Sequence, residues 1–297
     1  WFHTPQFLKT WWEEFHGDAE LRLAFVQDGG ETVAACAFEV RNGLLAFLGG
    51  FDVTDYLGPV GRPGVEDGAA AALADAVAGL GWARADLAGL VSDGRWLPAL
   101  TRAFERAGLL PDEDDDGVTP LLVLPSTYEA YEASLPPKLR HEARRKARKL
   151  EREAGPYRLV ETTRDTLDAH VGRFVELHRG SKGPKGRFMQ PGMELFFRHL
   201  ADDFLAPGPF RLTFIEAAGE LMAGAISFRF KESVLLYNSA FDRAHRALSP
   251  GMVLVADMIR QAIADGCRRF DLLKGDLGYK YRFGARPRPV RRLRLSR

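Results

Sequence analysis

Residues 210–215 read Phe-Arg-Leu-Thr-Phe-Ile, and residues 21–26 read Leu-Arg-Leu-Ala-Phe-Val. Each stretch alternates apolar and polar positions as a half-buried strand does. Each is followed by a Gly-Glu turn, at Gly30-Glu31 and Gly219-Glu220, and then by an Ala-rich apolar strand, 33–40 and 221–230. A third strand follows in both, Leu44 to Asp52 ending Gly-Phe-Asp and Val234 to Asp242 ending Ala-Phe-Asp. After a loop each copy has an apolar helix, 67–80 and 251–265, stopped by Gly81 and Gly266. A short strand then carries an acid in register, Asp86 and Asp271. A shared order of turns, strands and helix marks an internal duplication, which is read before any single motif.

Three antiparallel strands feeding a helix and a further strand make a mixed sheet. The expected fold class is therefore α/β (α+β), with two tandem domains, each a mixed, mostly antiparallel sheet flanked by helices. The expected domains are 1–125 and 126–297, the acidic run Asp112–Asp116 being a solvated loop near the boundary. Val290, Leu293 and Leu295 among the terminal arginines suggest that 286–297 returns to the first domain as a strand. Thr4-Pro5 starts a helix running to Gly17, Asp93 caps another to Ala107, and 165–180 and 191–205 are helical around the loop Ser181–Gln190.

The chain of 297 residues is 46% hydrophobic and 27% charged, the profile of a globular protein. No apolar run approaches the ~20 residues of a membrane helix. Two cysteines, Cys36 and Cys267, are too few for a disulfide framework or a zinc site and fit a reducing cytoplasm. A net charge of +1 hides an asymmetry: residues 1–125 hold 8 Lys/Arg against 20 Asp/Glu, and residues 126–297 hold 33 against 20. The second half is expected to handle an anionic partner, or the two charge signs help the halves dock.

Ser249-Pro250-Gly251 opens the second-copy helix directly after a loop. Proline suits the first helical position, and the N–H groups there bind anions such as phosphate. Arg243 and Arg246 add positive charge, and the matching stretch of the first copy, Gly58 to Gly68, lacks both features. On those residues alone an ordinary capped helix is the plainer reading; the repeat raises the functional one. Asp271-Leu-Leu-Lys274-Gly275-Asp276-Leu-Gly-Tyr279-Lys280-Tyr281-Arg282-Phe283-Gly284 gathers acids, bases and tyrosines around a glycine turn. Its lysines suit a phosphate or carboxylate, and Asp276 or Tyr279 suits proton transfer. Residues 138–153 form a basic helix with eight Lys/Arg, three Glu and a narrow apolar stripe of Leu139, Ala143, Ala147, Leu150 and Ala154. Nucleic acid, an anionic membrane surface, a phosphorylated substrate and a plain solvated helix are its open readings. His178-Arg179 with Lys182, Lys185 and Arg187 could line an acceptor pocket. The chain has no metal-spaced histidines, Gly-x-Ser-x-Gly or Walker loop, so no metal is expected.

In combination and in order, several of these segments resemble the GNAT superfamily, in particular the cellulose-synthesis-linked acetyltransferases of the CelD/BcsL type. They are Leu139–Glu151, Glu176-Leu-His178, Tyr237-Asn238-Ser-Ala-Phe241-Asp242, Leu248-Ser-Pro-Gly251 and Asp271–Gly284. The doubled layout also resembles the Fem-type aminoacyltransferases. The resemblance implies transfer of an acyl group from acetyl-CoA or another acyl-CoA to an amine or hydroxyl of a small-molecule or envelope-precursor acceptor. It implies a donor site at Arg246, Ser249, Pro250, Gly251, Met252 and Val253, with Ser249 standing where the superfamily pattern has a first glycine. Tyr279, Asp276 and Asp242 would manage the proton, beside Lys280 in the catalytic set; His178, Asn238, Lys274 and Arg282 would position the acceptor. Aminoacyl-tRNA as donor, and a non-catalytic binding module, are the rival readings.

Overall fold

The computed structural model describes residues 1–50, 53–181 and 184–296, without the side chains of residues 184 and 185. The chain forms two compact units, residues 1–119 with those from Pro287 onward, and residues 120–286.

In the first unit, α1 (Pro5–Phe15) precedes β1 (Glu20–Asp28), β2 (Glu31–Arg41), β3 (Leu44–Phe47) and β4 (Val60–Gly61). Then come α2 (Glu66–Gly79), β5 (Arg84–Val91), α3 (Trp96–Arg106) and β6 (Leu110–Val118). In the second, β7 (Leu121–Val123), α4 (Tyr128–Ser134), α5 (Pro137–Ala154) and β8 (Tyr157–Glu161) lead to α6 (Leu167–Arg179) and α7 (Pro184–Phe188). α8 (Pro191–Phe204), β9 (Phe210–Ala217), β10 (Glu220–Phe230), β11 (Ser233–Phe241), α9 (Pro250–Ala264) and β12 (Arg269–Asp271) follow. β13 (Pro289–Ser296) belongs to the first unit.

The sheet orders are β1-β2-β3-β5-β13-β6, with β4 on β2, and β7-β12-β11-β10-β9-β8. Both run antiparallel up to one parallel pair, β3 with β5 and β11 with β12. The duplication is thus a shared topology. Alternation along β9 buries Phe210, Leu212 and Phe214 completely, while Ile215 joins the core that α9 fills with Val255, Ile259 and Ile263. Burying such side chains is worth about 1.5–3 kcal/mol each.

Three expectations change. The acidic run is not a solvated loop: it lies in β6, paired with β13 except for a bulge at Asp116, and Arg292 bonds Asp116 at 2.6 Å while Arg294 bonds Asp114 at 2.7 Å. The arginines neutralise across the ladder what reads as a solvated charge run. The units divide at 119/120 and 286/287 rather than at 125/126, because β7 hydrogen-bonds to β12. Asp93 caps no helix and instead pairs with Arg288 at 2.8 Å.

Candidate active site

β11 and β12 pair in parallel only from Ser233↔Arg269 to Leu235↔Asp271, while β11 runs on to Phe241. From Leu236 its backbone groups on that side face a gap rather than a ladder partner. The chain after β12 is bent away by a tight turn: Leu273 (φ 56°) and Gly275 (φ 117°) lie in the left-handed region, which glycine enters without strain. Asp271 Oδ1 accepts the Leu273 N–H at 2.8 Å, and Lys280 Nζ donates to the carbonyls of Leu273 and Lys274, both at 2.8 Å.

The gap opens into a cavity of about 310 Å³ lined by Ser239, Ala240, Phe241, Arg246, Ser249, Gly251, Met252 and Tyr279. Its far wall is the start of α9. Ser249 takes the left-handed conformation (φ 55°, ψ 44°), which explains why a glycine suits this position in the superfamily pattern. Pro250 follows at the first helical position, and the first turn carries no acid. The Met252 and Val253 N–H groups bond the Ser249 carbonyl at 3.0 and 3.3 Å. They are therefore used within the helix, and the Gly251 N–H precedes them. Gly251 has no left-handed φ, and a β-carbon there would make an ordinary contact with the Phe241 ring at 3.4 Å. The turn Arg243–Leu248 carries Arg246 beside this start, and Lys149 of α5 donates to the Ala247 carbonyl at 2.9 Å.

Tyr279 is hydrogen-bonded with Ser239, and burial raises its pKa above the usual phenol value, the bond from Ser239 opposing this. It stays protonated at neutral pH and can therefore give a proton but not take one.

Of the sequence-predicted residues, Arg246, Ser249, Gly251, Met252 and Tyr279 line this cavity together. The others are placed elsewhere. Asp242 caps the following turn through the Ala244 N–H at 2.9 Å and pairs with Arg173 at 2.9 Å, and the amide bond first, then Arg173, holds its carboxyl low. A satisfied, ionised cap is a poor general base. Asp276 is exposed and accepts from Tyr281 at 2.5 Å. Lys280 is 4% exposed and clamps the turn, so it acts on the backbone. Arg282 pairs with Glu142 at 3.1 Å and, with Val253, lines a small hollow of about 20 Å³ beside α5. Pro250 is buried, and Lys274 is half-buried in the clamped turn. His178 is fully buried and bonds Asn238 at 3.1 Å, which removes it from direct contact with an acceptor. Lys182 and the Lys185 side chain lie outside the described residues. No group of three or more His, Cys, Asp or Glu that could hold a metal occurs among the described residues, and no described helix is long and apolar enough to cross a membrane.

Sequence reading missed Ser239, the partner of Tyr279, and Phe241 as a cavity wall. It also missed a β-bulge: Asn238 faces Ile226 and Leu236 faces Ser227, leaving Tyr237 as an extra residue. Only the register with β10 reveals it.

Residues 137–281 match the sequence profile of the acetyltransferase (GNAT) domain. Among solved structures, a conserved protein of unknown function from Bacteroides thetaiotaomicron VPI-5482 is similar with a TM-score of 0.67 and 11% identity, over 98% of this chain and 89% of that one. FemX is similar with a TM-score of 0.66 and 10% identity, over 96% and 90%. L-PGS from Bacillus licheniformis is similar with a TM-score of 0.60 and 14% identity, over 98% and 91%. Comparison with curated proteins gave no match. Identities this low speak for the fold, and the profile match speaks for a sequence likeness confined to the second unit. Over residues 137–281 the second unit is therefore similar in sequence to an acetyltransferase-type (GNAT) domain, and the chain as a whole has the tandem GNAT-type fold.

Proposed function

We propose that the second unit transfers an acyl group from an acyl-CoA thioester to an amine or hydroxyl of a metabolite or envelope-polysaccharide acceptor. The observation that carries this reading is the cavity of about 310 Å³ bounded by the unpaired end of β11, Tyr279 and the α9 N-terminus. Its walls are largely apolar, suited to a pantetheine arm, and its rim offers the Gly251 N–H, the Ser249 hydroxyl and the Arg246 guanidinium to a pyrophosphate. In the transfer the acceptor nitrogen or oxygen attacks the thioester carbonyl carbon. The backbone N–H groups on the open side of β11 stabilise the resulting oxyanion. The C–S bond then breaks, the thiolate takes the Tyr279 proton, and the acceptor proton passes to solvent, which reprotonates Tyr279. Holding the two reactants in line supplies much of the rate, so a strong general base is not required.

The test is release of CoA thiol from acetyl-CoA across a panel of amine and hydroxyl acceptors. Acceptor-dependent release supports the reading, and none from any acyl-CoA contradicts it. A second reading, an aminoacyl-tRNA donor, draws on the Lys149 bond that ties the basic helix α5 to the turn at the cavity rim. It predicts tRNA binding that weakens steeply with salt and with charge removal at Arg145 and Arg148, both exposed on α5.

A further inference from the structure

In a regular strand, neighbouring side chains point to opposite faces. β11 breaks this rule at its bulge. Leu236 packs in the core on the α9 side. Tyr237 packs its ring on Phe197 of α8 at 5.4 Å and on Phe228 at 5.7 Å. Asn238 then bonds to His178 of α6. Two consecutive residues therefore face helices on the same side of the sheet, and alternation resumes one step out of phase. That phase turns Ser239 toward Tyr279. Without the extra residue, Ser239 would face α6 and the tyrosine would lose its partner.

The bond that holds this phase is chosen by chemistry. An amide oxygen only accepts, so His178 Nε2 carries the proton and donates to Asn238 Oδ1. His178 is 0% exposed, with the rings of Phe174 and Phe188 at 5.9 and 5.8 Å. In such apolar surroundings an unmade hydrogen bond at the imidazole is costly, so slipping β11 by one residue is penalised. We infer that His178 and Asn238 are positioning residues: their bond locks the β11 bulge, and through it the Ser239–Tyr279 pair and the open backbone edge that faces the cavity. The catalytic half of this assignment rests on the acyl-transfer reading; the structural half does not.

The experiment is amide hydrogen exchange by NMR on the full chain, with His178→Phe, Asn238→Ala and the conservative His178→Gln, beside kcat and KM for acetyl-CoA and CoA affinity by calorimetry. In His178→Phe and Asn238→Ala, exchange at residues 237–239 should rise about tenfold or more over that in the centres of β9 and β10. kcat should fall about tenfold with CoA affinity within about twofold, and His178→Gln, which still presents an N–H, should stay near wild type. Unchanged exchange at 237–239, or an equal rise throughout the sheet in both deletion variants, overturns the assignment. A wild type that does not bind CoA fails the acyl-transfer reading instead, leaving the exchange data to judge the bulge.

Discussion

The two copies of the repeat part company at the same place, the opening beyond the parallel strand pair. In the second unit the chain leaves β11 by a turn that stays clear of the gap, and a cavity remains. In the first, β3 and β5 pair at Leu44↔Arg84 and Leu45↔Ala85, and the segment at Leu57 enters the gap itself. Leu57, 4% exposed, donates its N–H to the Gly89 carbonyl at 3.0 Å, and Gly89 has no room for a β-carbon, which would lie 2.7 Å from the Leu57 nitrogen. The helix starts differ in the same sense. α9 begins Pro-Gly-Met without an acid; α2 begins with Glu66 and Asp67, whose carboxylates already occupy the positive end of the helix. One opening is left with a cavity beside a helix start free of acids, and the other is filled by the backbone and side chain of Leu57. One topology thus carries an open cavity or a closed scaffold according to a few residues, which is why function is argued from the site.

This contrast can be broken from either side. In the first unit, Arg292 bonds Asp116 at 2.6 Å and Asp86 at 2.9 Å, with the Asp116 side chain 3% exposed. Arg292→Ala removes the cation that two carboxylates share and should cost about 3–5 kcal/mol, read as an early unfolding step in a denaturant titration. CoA binding by whatever second unit remains folded should persist. In the second unit, Tyr279→Phe should lower kcat about 10²-fold with a donor KM near wild type. In the wild type the Tyr279 contribution should be present throughout neutral pH and fade only as pH rises through its raised pKa, so a falling alkaline limb should vanish in Tyr279→Phe. Met252→Glu gives α9 the acidic start of α2 and should weaken CoA binding about tenfold, an effect that shrinks with salt. The smallest change runs the other way: Ser249→Gly relieves a left-handed serine and should raise stability by up to about 1 kcal/mol, seen as a small rise in Tm.

The repeat, the strand order within it and the start of α9 were legible because each is a local pattern: alternation, a glycine stop, Ser-Pro-Gly before an apolar helix. What escaped reading depends on pairing at a distance. Asp116 looks solvated until Arg292, 176 residues later, is laid beside it. Lys280 reads as a lysine for an anionic substrate, yet its amine is buried against two carbonyls of a turn it follows. His178 and Asn238 stand 60 residues apart, and neither shows alone that it fixes a bulge. Leu57 is one leucine among many until the backbone of Gly89 is found against it.

The central claim, that the opening in the second unit is a donor site, is tested most directly by calorimetric titration with acetyl-CoA and CoA of the wild type and of Gly251→Trp. Gly251 lines the cavity, so an indole at this position would occupy it. The account predicts saturable one-site binding by the wild type and its loss, by at least about 10²-fold, in the variant. Equal binding by both proteins, or binding by neither, would contradict it.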